Sequence, residues 1–182
     1  LNTFDTDRGV VADLFVVPDT VTGLAKYVYV ADLGGNIYRI GAGDDADEQF
    51  GTSDPETDWN IKKIASLGCT STAVCTPNRK FMFMPDVVEQ PEPGSGTYHL
   101  LIGSGDREKP LLAFDSAASV TNYFFMVKDN PSDPDWLSDE TTHCGTDVIC
   151  MSSLTPITSD ANPDPNDLAD SKGWYLGLHD NE

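Results

Sequence analysis

The sequence is poor in basic residues, and this shortage limits its partners. Only 11 Lys and Arg stand against 30 Asp and Glu, which leaves a formal net charge of −19. Such a surface repels phosphate backbones and anionic lipid headgroups, so nucleic acid is not expected as a partner. No run of about 18 apolar residues occurs either, so we expect no membrane insertion by this segment.

Recognisable catalytic motifs are also lacking. The three histidines, His99, His143 and His179, lie in unrelated contexts, and residues 103–106 (GSGD) do not form the G-x-S-x-G nucleophile elbow. Nothing in the spacing of the acidic residues selects a carboxylate pair for glycoside hydrolysis. We therefore predict a protein without enzymatic activity.

Cysteine is scarce, but its spacing is informative. The four cysteines form two pairs, Cys69 with Cys75 and Cys144 with Cys150, and each pair encloses five residues. The enclosed residues are mostly small or β-branched, so two local disulfides are predicted, which requires an oxidising compartment. Zinc is the alternative because His143 precedes Cys144, but structural zinc sites space paired ligands by about two to four residues.

The two ends of the sequence lead to a further expectation. The first residues, LNTFDTDRG, contain neither an initiator Met nor a leader of charged and apolar residues, and the last, GWYLGLHDNE, stop within an apolar alternation. We therefore expect residues 1–182 to be a fragment of a longer exported precursor.

Short apolar alternations separated by turn residues predict a mostly β fold. The clearest is a hairpin, in which Tyr27–Ala31 leads through the turn residues Gly34, Gly35 and Asn36 to Ile37–Ile40. Short helical turns are expected only at Pro110–Ala118 and Asn166–Lys172. The other predicted strands are Val10–Val17, Lys62–Leu67, Arg79–Met84, Tyr98–Gly103, Leu111–Phe114, Tyr123–Lys128 and Trp174–Leu178.

Three segments share an aromatic start, an apolar alternation and a polar turn: YVYVADLGGNIYRI, YHLLIGSGDREKP and NYFFMVKDNP. Propeller blades have this pattern, and the length suffices for about three to four of them, whereas a closed ring usually needs four to eight. We predict β-propeller-like blades of antiparallel strands in an incomplete ring. The long acidic loops between the strands suit surface recognition, or simply cover strand edges.

These segments resemble the C-terminal β-propeller of the PilY1 family of type IV pilus biogenesis and tip proteins. In the family's blade motif a strand leads into an Asp, a Gly-Asn turn and a return strand with an aromatic residue and Arg, here Asp32, Gly35, Asn36, Tyr38 and Arg39. YHLLIGSGDREKP, NYFFMVKDNP and residues 173–176 (GWYL) resemble other pieces of the family in the same order.

The resemblance implies a non-enzymatic module at the bacterial cell surface, on the pilus tip or the outer membrane, that is exported through the periplasm. It further implies a role in pilus biogenesis or adhesion. The implied partners are minor pilins or other pilus components, together with a host or environmental surface ligand.

The segment FDTDRGVVAD suggests a calcium loop. Asp5, Asp7 and Asp13 fall at positions 1, 3 and 9 of the calcium-loop pattern, and calcium prefers oxygen ligands on such a bend. The resemblance also implies a calcium loop just before the hairpin. Position 5 is Gly9 and Arg8 adds a positive charge, so weak to moderate affinity is expected. An Asx-turn with solvated carboxylates is the alternative.

Two other functions stay in competition with the pilus module. One is a quinoprotein-like dehydrogenase propeller, which would bind its cofactor on the ring axis. Against it, the sequence has no adjacent Cys-Cys pair and only three tryptophans, Trp59, Trp136 and Trp174. The other is a purely structural secreted β-domain.

Overall fold

The computed structural model describes residues 7–42, 49–50, 59–70, 75–90, 96–106, 119–158 and 165–178. Within these ranges the protein is mostly β, as predicted. The strands are β1 (Phe15–Pro18), β2 (Ala25–Ala31), β3 (Asn36–Gly41), β4 (Asn60–Ser66), β5 (Asp86–Glu89), β6 (Tyr98–Gly103), β7 (Asn122–Asp129), β8 (Thr155–Ile157) and β9 (Gly173–Leu178). Two short helices, α1 (Glu140–Cys144) and α2 (Pro165–Asp170), and a 3-10 turn (Met151–Ser153) accompany them.

The first sheet is an antiparallel meander in the order β1-β2-β3-β4. Its alternating residues point to opposite faces, and both faces are apolar at the centre of the sheet. Tyr29 and Ile37 join the main core, whereas Val30, Tyr38 and Ile40 form a smaller cluster on the other face. Because side chains pack against both faces of the sheet, every residue of β3 is buried.

The second sheet has the order β5-β6-β7-β9-β8. All neighbours are antiparallel except β8, which runs parallel to β9, and α2 lies in the chain between these two strands. The main core contains buried side chains from both sheets, such as Tyr29, Leu100 and Phe125. Phe81 meets Phe125 edge-on, with ring centroids 5.8 Å apart. The two sheets therefore share one core.

The predicted strand Arg79–Met84 is wrong, because these residues are not a strand and β5 begins only at Asp86. The backbone hydrogen bonds of this segment go to separate places. The Arg79 N–H donates to Gly68, the Phe81 N–H donates to Asp32, and the Lys80 carbonyl accepts from Gly105. Partners in three different segments hold the chain in place but cannot build a ladder with a single neighbouring strand.

Other boundaries also differ from prediction. The strand expected at Val10–Val17 begins only at Phe15, because the Gly9 carbonyl accepts the Leu33 N–H and the chain crosses the hairpin turn instead of extending the ladder. The short elements α1 and β8 were not predicted. The helical turn at Asn166–Lys172 corresponds to α2, while Pro110–Ala118 and Leu111–Phe114 lie outside the described residues.

The structure contains the two local disulfides that the cysteine spacing predicts. Cys69–Cys75 and Cys144–Cys150 each join Cα atoms 5.8 Å apart. The first bridge follows the end of β4, and the second connects the end of α1 to the residue before the 3-10 turn. Both therefore fasten connecting segments rather than strands of the two sheets.

Candidate functional site

The turn between β2 and β3 is organised by the fully buried carboxylate of Asp32. This carboxylate accepts hydrogen bonds from the N–H groups of Gly34 (2.8 Å) and Asn36 (3.0 Å) and from the Asn36 side-chain amide (3.0 and 3.1 Å). It also accepts from the Tyr38 hydroxyl (2.9 Å) and the Arg8 N–H (3.2 Å). One buried side chain thus fixes the turn and holds the segment before β1 against it.

Tyr38 extends this network to Asp7. The Asp7 N–H donates to the Tyr38 hydroxyl at 3.0 Å, and the hydroxyl in turn donates to Asp32. Burial raises the pKa of Tyr38, so the phenol keeps its proton and its donor role at neutral pH. The Asp7 carboxylate forms an exposed ion pair with Lys63 of β4.

Close backbone packing explains the glycines of the turn. Gly35 has φ +75°, and a Cβ there would lie 2.4 Å from the Cα of Gly68. A Cβ on Gly68 would lie 1.9 Å from the carbonyl oxygen of Gly34. The predicted turn residues Asp32, Gly35 and Asn36 all lie in or beside this turn, but the close approach of Gly34 and Gly35 to Gly68 was not predicted from the sequence.

A second buried polar network joins the two sheets. Nη1 of Arg39 on β3 lies 2.5 Å from both carboxylate oxygens of Asp129 on β7, and the Tyr29 hydroxyl donates to the same carboxylate at 2.7 Å. Arg39 is 2% exposed and Asp129 is 0% exposed. Burial alone would lower the pKa of Arg39, but Asp129, together with Tyr29 and Tyr27, outweighs burial, and the pKa is raised. Burial and then Asp129 raise the pKa of Tyr29.

Known proteins were compared with the chain that contains these two networks. No protein-family model matches the chain, and no curated protein matches it. Among solved structures it is similar to the crystal structure of the Pseudomonas aeruginosa PilY1 C-terminal domain, with a TM-score of 0.55 and 17% identity. The similarity covers 91% of this chain and 38% of that chain. The chain shares its fold with part of the PilY1 C-terminal domain.

This likeness confirms the fold that the resemblance to PilY1 implied. At 17% identity it establishes the fold and nothing further, and the chain spans 38% of the length of the PilY1 domain. The prediction of three to four blade equivalents stays a prediction, because the described residues form two sheets and parts of the chain lie outside them.

Of the three residues predicted to bind calcium, Asp7 and Asp13 are described in this PilY1-like fold, and their surroundings differ. Asp5 lies outside the described residues, Asp7 is paired with Lys63, and Asp13 is exposed. Across the described part of the chain, no group of three His, Cys, Asp or Glu residues is placed to hold a metal. The described residues therefore do not form a calcium site by themselves, and the calcium prediction depends on Asp5.

Asp13 instead lines a surface groove of about 490 Å³. One wall is Val11 and Ala12, and the other is the Met82–Met84 segment followed by Asp86. Large apolar side chains are exposed here, including Val11 (54%) and Met84 (40%). An apolar patch with acidic residues beside it is typical of a contact surface.

No helix within the described ranges is long and apolar enough to cross a bilayer.

Proposed function

We propose that this chain is part of a non-enzymatic, type IV pilus-associated module at the bacterial cell surface. The observation that carries the proposal is the fold it shares with the PilY1 C-terminal domain over 91% of its length. Two disulfides suit an exported protein, and the net charge of −19 suits solubility outside the cell.

In this proposal the β scaffold presents the groove of Val11–Asp13 and Met82–Asp86 to another pilus component, such as a minor pilin. The groove is an exposed apolar surface that a partner could cover, and its acidic residues Asp13 and Asp86 suit a partner with basic groups around an apolar centre. Adhesion to a host or environmental ligand belongs to the same proposal.

The test is to replace Val11 and Met84 together by aspartate in the full-length protein of the bacterium that encodes it. The double variant is expected to lose most of its co-purification with sheared pili, because two charges would enter an apolar interface. Val21→Asp is the matched control, because Val21 is 91% exposed and does not line the groove.

Deleting the gene tests the proposed role in pili independently of the groove. Fewer surface pili in electron micrographs of the deletion strain are expected, and normal pili together with no co-purification of the wild-type protein would contradict a pilus role. A visible quinone absorbance band in the purified protein would instead favour the dehydrogenase alternative.

We also propose a calcium response through Asp5, Asp7 and Asp13. Calcium would have to displace the Lys63 ammonium from Asp7, so removing this competitor should strengthen binding. In titration calorimetry, Lys63→Met is expected to bind calcium several-fold more tightly than the wild type, and Asp7→Ala is expected to abolish the response. The absence of heat at millimolar calcium in both the wild type and Lys63→Met would show that these aspartates only form turns.

A further inference from the structure

A cavity of about 500 Å³ lies between α1, the 3-10 turn, β8 and the connection from α2 to β9. The Cys144–Cys150 disulfide holds α1 and the 3-10 turn together on one side of it. The cavity is separate from the Asp32 turn and from the groove beside Asp13, because its lining residues all lie between positions 139 and 172. The proposed pilus function makes no use of it.

Glu140 is the unusual residue of this cavity. Its side chain lines the cavity but is only 1% exposed. The Ser153 hydroxyl donates to Oε2, whereas Oε1 has no hydrogen-bond partner among the described residues. No Lys or Arg in the described ranges forms an ion pair with Glu140. A buried carboxylate is costly without a cation, so this position favours a positively charged ligand.

The other charges around the cavity also favour a cation. Carboxylates outnumber ammonium groups three to one along its wall, with Asp139, Glu140 and Asp170 against Lys172. The Lys172 ammonium is already held elsewhere, because it donates to the Trp136 carbonyl at 2.6 Å and lies 3.6 Å from the centre of the Trp136 ring. Asp170 also attracts Lys128, so it contributes less than its full charge to the cavity.

The remaining wall indicates the shape of the ligand. Leu154 and Pro156 supply apolar surface beside the carboxylates, which suits a short alkyl chain that ends in a charged group. A bound metal is not favoured, because the described residues provide no group of three ligands for one. We propose that this cavity binds a primary alkylammonium group, such as a lysine side chain or a free amine, with Glu140 as its buried counter-ion.

The test uses titration calorimetry with n-butylamine, with n-butanol as the uncharged probe of equal length. The amine is expected to bind and the alcohol is not. Glu140→Gln keeps an acceptor for Ser153 but removes the charge, and should weaken amine binding roughly tenfold or more. Asp147→Asn is the control, because Asp147 is exposed and does not line the cavity.

A second probe distinguishes the two sources of the amine. Tighter binding of N-acetyl-lysine methylamide than of butylamine would indicate a peptide side chain as the natural ligand, and the reverse order would indicate a free amine. Equal binding of butanol and butylamine, or no binding of either amine, would overturn the proposal. So would unchanged affinity in a Glu140→Gln variant whose circular dichroism shows native folding.

A variant of the exposed carboxylates tests the proposal while Glu140 stays unchanged. Asp139→Asn combined with Asp170→Asn removes two charges from the rim of the cavity without touching Ser153 or the disulfide. This variant should weaken butylamine binding several-fold and reduce its dependence on salt. Unchanged affinity would overturn the proposal even where Glu140→Gln fails to fold.

Discussion

Replacing Asp129 by asparagine is expected to lower the free energy of unfolding by about 3 to 5 kcal/mol. The change is nearly isosteric, so it creates little cavity, but it removes the negative charge of Asp129 from beside the Arg39 guanidinium, which is only 2% exposed. Because this pair connects β3 to β7, the loss should destabilise both sheets together. Urea denaturation followed by circular dichroism measures the effect.

The exposed ion pair between Asp7 and Lys63 is the matched control. Its side chains are 56% and 31% exposed, so Asp7→Asn in calcium-free buffer should cost less than about 1 kcal/mol. A second variant, Arg39→Met with Asp129→Leu and Tyr29→Phe, should recover most of the stability, because it removes both buried charges and the hydroxyl that donates to Asp129. Similar losses for Asp129→Asn and Asp7→Asn would contradict the role assigned to the buried pair.

Replacing Asp32 by alanine is expected to lower the free energy of unfolding by about 3 kcal/mol or more. The change leaves the donors of Gly34, Asn36 and Tyr38 without this acceptor. Asn36 and Tyr38 are buried, and each buried donor left unsatisfied costs about 1 to 3 kcal/mol. The N–H of Arg8 loses its acceptor too, so the segment before β1 should be held less tightly, by its remaining contacts with Leu33, Tyr38 and Lys63. Hydrogen exchange at the Gly34 and Asn36 amides, together with urea denaturation, measures both effects.

Asp19 provides a comparison with the same local chemistry at the surface. Its carboxylate accepts from the N–H groups of Val21 (3.0 Å) and Thr22 (2.7 Å), and these bonds, with Thr22 as the largest contribution, lower its pKa. Water can replace this acceptor, so Asp19→Ala should change stability only slightly. An equal loss for Asp32→Ala and Asp19→Ala would show that the buried network does not stabilise the turn.

Short-range sequence patterns were sufficient to predict several elements. The alternation in Tyr27–Ala31 and the Gly35-Asn36 turn predict the β2–β3 hairpin, since a few adjacent residues define both the strand period and the turn. Equal cysteine spacing predicts the two local disulfides in the same way, because six-residue separations restrict the choice of partners. The segments of β6, β7 and β9 were recognised from their apolar alternation alone.

The candidate sites depend much more on contacts between distant residues. Asp32 and Arg39 were both identified from the blade motif, but their roles differ, because the bonds of Asp32 are mostly local whereas the partner of Arg39 is 90 residues away. Glu140 carries no sequence signal of a site. It becomes unusual only because α1 and the 3-10 turn enclose it beside a cavity.

The amino-acid sequence alone therefore determined the β class, the hairpin, the disulfide pairs and the resemblance to a known fold, since all of these depend on periodicity, turn chemistry and spacing within short windows. Only the tertiary structure decided that residues 79–84 form no strand, that β8 runs parallel to β9 and that Arg39 meets Asp129. Such features arise when two sheets pack and each buried polar group must find a partner from another part of the chain.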